Sequence, residues 1–353
     1  MKVELPTPTS IGRKSGMTSE SEAKIPIAVI GSSSMVGSRF CELASADFDL
    51  IKADLKGNIP IDITQKDSVD NFFKNYGFEW LILFSAFTDV DEAEKQRGDK
   101  NGLCYQINVN GTANVVDACK NYQRKLIFIS TDFVFDGFDG PYSEEDQTGG
   151  NLDKVSWYGI TKIEAEKLVQ GLKEFIPSEK TPSFRTKMKR ILSEEERTTA
   201  FRPWESIILR ISYPYRTYFA PKEDFARSIL QKYKEGSLYS MFTDQVITPT
   251  FIDDLAPSVS VLIRKNVRGI FHLASPKITT PYDFAKFLLE TFNKTTLALK
   301  RAKLEDSLEK KTATPRPIKG GMIVEKIIKS GFTPTDWQQG IKIIYKQSHG
   351  KLI

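Results

Sequence analysis

Apolar residues fall into short β-rich runs separated by stretches with helical spacing, and that alternation predicts an α/β protein built around a parallel sheet. Residues 24–30 make the first run, a turn of small residues follows, and Phe40, Leu43 and Ala44 mark one face of a helix. A second strand is predicted over 49–54 and a helix over 66–76. Residues 80–87 and 126–130 are continuous apolar runs of the kind found in strands covered on both faces, and a long helix over 101–122 lies between them. A strand follows at 207–211, and Thr280-Pro281 opens a late amphipathic helix.

The turn after the first run reads Gly31-Ser32-Ser33-Ser34-Met35-Val36-Gly37. Strand, small-residue turn and helix together suit a pyrophosphate resting on a helix N-terminus, where free N–H groups and the helix dipole favour negative charge. Ser34 stands where a middle glycine is usual. Asp54 ends the second strand about 20 residues on, where a carboxylate accepts from an adenosine ribose. It leans the cofactor toward NADH, whereas Arg39, Lys52 and Lys56 keep a 2′-phosphate open. Asp62 is either a helix cap or an adenine contact.

Reactive groups gather at Ser130-Thr131-Asp132 and at Tyr158-Gly-Ile-Thr-Lys162. On a helix Tyr158 and Lys162 share a face, so the ammonium is expected to pull the phenol below its usual value of about 10 and make it an acid and base near neutrality. Tyr-x-x-x-Lys also occurs at Tyr218/Lys222, interrupted by Pro221, and at Tyr282/Lys286, where Tyr282 suits packing in a first helical turn.

Taken with Asp62-Ile63-Thr64, the run from Ser85 to Glu94, Asn108-Val109-Asn110, Ser130-Thr131-Asp132-Phe133-Val134-Phe135-Asp136-Gly137, Leu209-Arg210-Ile211-Ser212-Tyr213-Pro214-Tyr215 and Pro315-Arg316-Pro317, the chain resembles extended short-chain dehydrogenase/reductases of the dTDP-4-dehydrorhamnose reductase type. The resemblance implies a Rossmann-type doubly wound sheet with a smaller C-terminal α+β substrate domain. It implies NADP(H) or NAD(H) as cofactor and a nucleotide-activated 6-deoxyhexose, reduced at its 4-keto group, as substrate. Thr131, Tyr158 and Lys162 fall on the catalytic positions. Gly31, Ser33, Met35, Val36, Gly37, Asp54, Asp62, Ile63, Ser85, Ala86, Phe87 and Asn108 fall on or beside the dinucleotide. Thr88, Val90, Asp132, Phe133, Tyr213 and Arg316 fall where substrate contacts are expected. Ser85 stands where alanine is usual, and Arg316-Pro317 is followed by Ile318-Lys319 rather than Asn-Ser. Other sugar-nucleotide reductases or epimerases share parts of the pattern, GDP-4-keto-6-deoxymannose reductases among them. So does the regulatory β subunit of methionine adenosyltransferase, a binding protein without turnover.

Residues 25–172, completed by about 205–215, are expected to bind the dinucleotide, and 216–353 mainly the substrate. Residues 1–24 read as a mobile extension and 173–203 as an insertion carrying a basic stretch and then an acidic one. The 353 residues carry a net charge of +5 with acids and bases interleaved, which suits anionic ligands and gives no sign of nucleic-acid binding. No apolar run reaches the roughly 20 residues of a membrane span, and the polar N-terminus does not read as a signal peptide. Three cysteines and two histidines lack metal spacing, so no metal is expected. A cytoplasmic enzyme follows, and a homodimer is compatible with it.

Overall fold

The computed structural model describes residues 24–171, 206–219, 221–309 and 313–353. The expectations for the insertion, and for all but the last residue of the leading extension, lie outside the described residues.

Six strands form one parallel sheet in the order β2 (Phe48–Ala53), β1 (Ile25–Ile30), β3 (Trp80–Leu83), β4 (Lys125–Thr131), β5 (Ser206–Ile211), β7 (Gly269–His272). Every residue of β3 and β5 is buried, as expected of strands covered on both faces, and in β5 that includes the polar Ser206 and Arg210. The chain winds outward from β1 to β2, then returns past β1 to build the other half. That reversal leaves a crevice at the carboxyl ends of β1 and β3, the place where open α/β sheets bind ligands.

Helices cover both faces. On one side α1 (Met35–Ala44) and α8 (Leu255–Arg264) pack Phe40, Ala44, Val259 and Leu262 against β1, β3 and β5. On the other, α2 (Lys66–Asn75), α5 (Thr112–Asn121) and α6 (Trp157–Val169) contribute Val69, Phe72, Val115 and Ala165. A separate apolar cluster holds α7 (Phe225–Lys234), α9 (Pro281–Thr291) and α12 (Trp337–Gln347) together through Ile229, Leu288 and Ile341. Beside it lies a two-stranded sheet of β6 (Met241–Phe242) and β8 (Arg301–Ala302). No helix among the described residues is long and apolar enough to cross a membrane.

One expected helix differs in form. Residues 101–122 do not make a uniform α-helix: α4 (Leu103–Tyr105) passes into a π-helical stretch, Gln106–Gly111, before α5. The wide turn has a tertiary cause. It carries the buried Asn108 side chain to the backbone of Phe87, which donates to Oδ1 at 2.8 Å and accepts from Nδ2 at 3.1 Å. Such π-bulges concentrate at functional sites.

Candidate functional site

At the switch point the structure places a cleft of about 710 Å³, within the range of small-molecule and cofactor sites. Its floor is the turn after β1. Gly31 has φ +85°, and a Cβ there would stand 2.6 Å from the Ser85 nitrogen, so only glycine fits. A Cβ on Gly37 would lie 2.3 Å from the Gly31 oxygen. Ser34, the departure from the fingerprint, holds this turn: its Oγ donates to the Gly31 oxygen at 2.7 Å and accepts from Gly37 N at 3.0 Å, capping α1. The substitution leaves a tight cradle with a helix N-terminus behind it, which fits a pyrophosphate.

Asp54 stands one residue beyond β2 and is tied to the turn. Ser33 donates to its Oδ2 through N at 2.9 Å and Oγ at 2.7 Å, and Leu55 N donates to Oδ1 at 2.7 Å. Arg39 is committed elsewhere, to Asp253 at 2.6 and 2.7 Å and Glu42 at 2.8 Å, which removes it from the groups open to a 2′-phosphate. The helix-cap reading of Asp62 gives way as well. Gln65 occupies the cap of α2 without a side-chain bond, while Asp62 Oδ1 accepts from Thr64 N at 2.9 Å and Oγ1 at 2.7 Å, turning Asp62 and Ile63 onto the cleft wall.

Met35, Val36, Ser85 and Ala86 also line the cleft, as do Thr88, Val90, Asp132, Phe133, Tyr213 and Arg316. Gly37, Phe87 and Asn108 do not. Gly37 is packed inside the turn, and Asn108 lies behind Phe87, its Nδ2 also donating to Thr161 Oγ1 at 3.0 Å. Asn108 therefore shapes the loop after β3 from the rear.

Thr131, Tyr158 and Lys162 converge on the wall at the end of β4. Thr131 Oγ1 donates to Asp132 Oδ1 at 3.1 Å and accepts from Phe133 N at 3.2 Å. Tyr158 and Lys162 lie one turn apart on α6, whose start is fixed by Ser156 Oγ accepting from Gly159 N at 3.1 Å. The electrostatics reverse one expectation. Burial lifts the Tyr158 phenol well above its ordinary range, and its interaction with the Thr131 hydroxyl is the main effect opposing it. Lys162 is the group that moves down. Desolvation pulls its ammonium to about 7, against the attraction of Glu166. Its Nζ donates to the Ile129 carbonyl at 2.7 Å and stands 3.9 Å from the Phe128 ring centroid.

Asp132 is buried, accepts from Ser212 Oγ at 2.7 Å, and is pushed by desolvation to about 6. Tyr213 sits at φ +40°, unusual for an aromatic residue, and its hydroxyl accepts from Gln245 Nε2 at 2.9 Å. Arg316 pairs with Asp91 at 2.7 and 2.9 Å, joining the C-terminal half to α3 (Val90–Glu94).

Sequence reasoning missed the segment Phe219, Pro221, Lys222, Glu223, Asp224 and Phe225, which forms part of the cleft rim. Lys222 Nζ donates to Thr88 Oγ1 at 2.7 Å. The signal was present as a non-helical Tyr-x-x-x-Lys just ahead of Asp224, which caps α7. The third copy behaves as expected for packing, with Tyr282 in the first turn of α9 under the Arg301 guanidinium.

Comparison with known proteins gives the family and the fold. The profile of the family described as RmlD substrate binding domain matches residues 25–176 and 185–349. A dTDP-4-dehydrorhamnose reductase of Aggregatibacter actinomycetemcomitans is 25% identical over 300 residues, covering 80% of this chain and 86% of its own. The spore coat polysaccharide biosynthesis protein SpsK of Bacillus subtilis is 26% identical over 318 residues, covering 90% and 95%. Among solved structures, a dTDP-4-dehydrorhamnose reductase from Bacillus anthracis in complex with NADP superposes with a TM-score of 0.73 at 24% identity, over 92% of this chain and all of that one, and so shares the fold. The chain belongs to the RmlD substrate binding domain family.

Proposed function

We propose that the protein reduces the 4-keto group of a nucleotide-activated 6-deoxyhexose with NADPH or NADH. The observation that carries the reading is the meeting of Thr131, Tyr158 and Lys162 in the cleft that also contains the glycine turn after β1. The reductases among its relatives, and the NADP held by the structural neighbour, support it. In this reading residues 25–172, completed by β5, bind the dinucleotide and residues 216–353 mainly the sugar nucleotide. A cytoplasmic location belongs to the same reading, supported by substrates that are charged and freely water-soluble.

The dinucleotide would rest on Gly31, Ser33, Met35 and Val36, with Asp62, Ile63, Ser85 and Ala86 along its side. When bound, it supplies the hydride that reaches the C4 carbon. Tyr158 gives its phenolic proton to the carbonyl oxygen as charge develops there. Thr131 donates to the same oxygen and holds it in line. Lys162, on the same face of α6, offsets the negative charge left on Tyr158 with an ammonium that the buried site makes titratable near neutrality. Thr88, Val90, Asp132, Phe133, Tyr213 and Arg316 orient the hexose and its diphosphate, and the fork of Arg316 suits paired bonds to phosphate oxygens.

The test is oxidation of NADPH or NADH by the purified protein with dTDP-4-dehydrorhamnose. Stoichiometric oxidation with formation of a C4 alcohol is the expected result. No oxidation with dTDP- or GDP-linked 4-keto-6-deoxy sugars, under conditions where the dinucleotide binds, overturns it.

A further inference from the structure

At the back wall of the cleft, which Ser130 helps to line, lies a closed polar network that the chemistry above does not use. Ser130, Glu166, Arg210 and His272 are each no more than 2% exposed. Glu166 accepts from Arg210 Nε at 2.9 Å and Nη2 at 2.6 Å, and from Ser130 Oγ at 2.5 Å. Arg210 Nη1 lies 3.2 Å from His272 Nε2, and His272 Nδ1 lies 3.0 Å from the Ile323 carbonyl. A carbonyl only accepts, so Nδ1 carries the imidazole proton and Nε2 is the acceptor for Arg210. The ring stays neutral, since burial drives it down to about 3. Every member of the chain is thereby satisfied, the condition for a buried network to rigidify what it joins.

The geometry joins it to the reacting groups. Tyr158, Lys162 and Glu166 follow at successive turns along one face of α6. Ile129, Ser130 and Thr131 are consecutive at the end of β4. Lys162 bonds the Ile129 carbonyl and Glu166 bonds the Ser130 hydroxyl, which makes two adjacent rungs between helix face and strand end. Ser130 and Arg210 are direct register partners in the β4–β5 pair, so their side chains share a face of the sheet and reach the same carboxylate. Arg210 alone already neutralises that carboxylate. The additional bond from Ser130 fixes the height of Thr131 along α6, and hence its place opposite Tyr158.

We propose that Ser130 and Glu166 are positioning residues that set the register of Thr131 against Tyr158 and Lys162, acting through β4 and α6 without touching substrate. The proposal rests on the reductase reading above. Because a misplacement of about 1 Å costs about a hundredfold in rate, Ser130→Ala is expected to lower kcat by about ten- to a hundredfold. KM for both the dinucleotide and the sugar nucleotide should stay unchanged, because the Ser130 hydroxyl is spent on Glu166 and is not offered to either ligand. Ser130→Thr, which keeps the hydroxyl, should restore kcat. Should Ser130→Ala fold poorly, Ser130→Cys carries the same test, since a thiol fills the place and donates only weakly. An unchanged kcat in the presence of parent turnover, or equal rises in KM, would overturn the clamp and leave the reductase reading standing. A parent without turnover would sink the reductase reading instead. In that case amide exchange at the end of β4 and the first turns of α6 still decides the clamp: it should quicken in Ser130→Ala and recover in Ser130→Thr, and unaltered exchange would overturn the proposal.

Discussion

The two ends of the cleft hold similar chemical groups in opposite conditions. At the inner end, Lys162, Glu166 and Arg210 are each 2% exposed or less. At the rim, the side chains of Asp91 and Arg316 are 63% and 27% exposed, and Lys222 meets Thr88 in the open. Two unit charges 4 Å apart interact by about 1 kcal/mol in water and about 4 kcal/mol at an effective dielectric constant of 20. Charge at the inner end is therefore held firmly, displaces pKa values and is costly to disturb. Rim pairs are worth about 0–1 kcal/mol and exchange readily for a ligand's phosphates. In the proposed reaction, chemistry would sit where the medium is stiff, and recognition where it is exchangeable.

The sharpest break in that contrast is Tyr158→Phe. The ring and its edge contact with Phe133 remain while the proton goes. Turnover should fall by about 10²–10⁴-fold with dinucleotide affinity retained; a rate within about threefold of the parent would remove Tyr158 from the chemistry. Tyr282→Phe, outside the cleft, is the control and should leave the rate unchanged.

Next comes Glu166→Gln. It leaves the buried Arg210 guanidinium without its counter-charge, so the urea unfolding free energy should drop by about 3–5 kcal/mol. The matching rim change, Asp91→Asn, should cost less than about 1 kcal/mol. Equal losses at the two places would dissolve the distinction.

The third measurement uses pH. Lys162 titrates at about 7 in the folded protein against an ordinary 10.5. The unfolded chain binds more protons between those values, so this group's contribution to stability rises with pH through that window and is least favourable below 7. Lys162→Met should flatten the rise, which is on the order of a few kcal/mol. A parent whose stability falls between pH 7 and 10 while Lys162→Met behaves identically would contradict the buried-ammonium assignment.

Smaller effects belong to the rim. Arg316→Ala should weaken sugar-nucleotide binding by about 1.5–3 kcal/mol and leave dinucleotide affinity intact. Asp91→Asn frees the same guanidinium and should tighten binding several-fold, more at low salt than at high salt. Calorimetric titration of both ligands separates these outcomes from general misfolding, which would weaken both. Asp54→Ala is expected to shift kcat/KM toward NADPH by about fivefold, the size of an exposed charge interaction of about 1 kcal/mol; a parent already strongly selective for NADPH would deny Asp54 that role.

Local chemistry made much of this legible in the residues. Continuous apolar runs announced strands covered on both faces, while Ser-Thr-Asp at a strand end, Tyr158 with Lys162 on one helical face and the small-residue turn pointed to groups that the structure brings to one cleft. These are properties of near neighbours, and sequence spacing carries them. Asp62 escaped that logic because its Asx turn competes locally with a helix cap, and either suits the same residue.

What the residues alone did not settle depends on distance through space. Arg39 is drawn away to Asp253, more than two hundred positions on, by a bond that no spacing reveals. The π-helical stretch exists because Asn108 must reach Phe87. The direction of the Tyr158 shift turned on how deeply the packed sheet and helices desolvate it. Sequence by itself determined which groups stand at which turns of which elements. Only the tertiary structure decided their solvation and their partners, because both are set by atoms that meet only once the chain has closed around them.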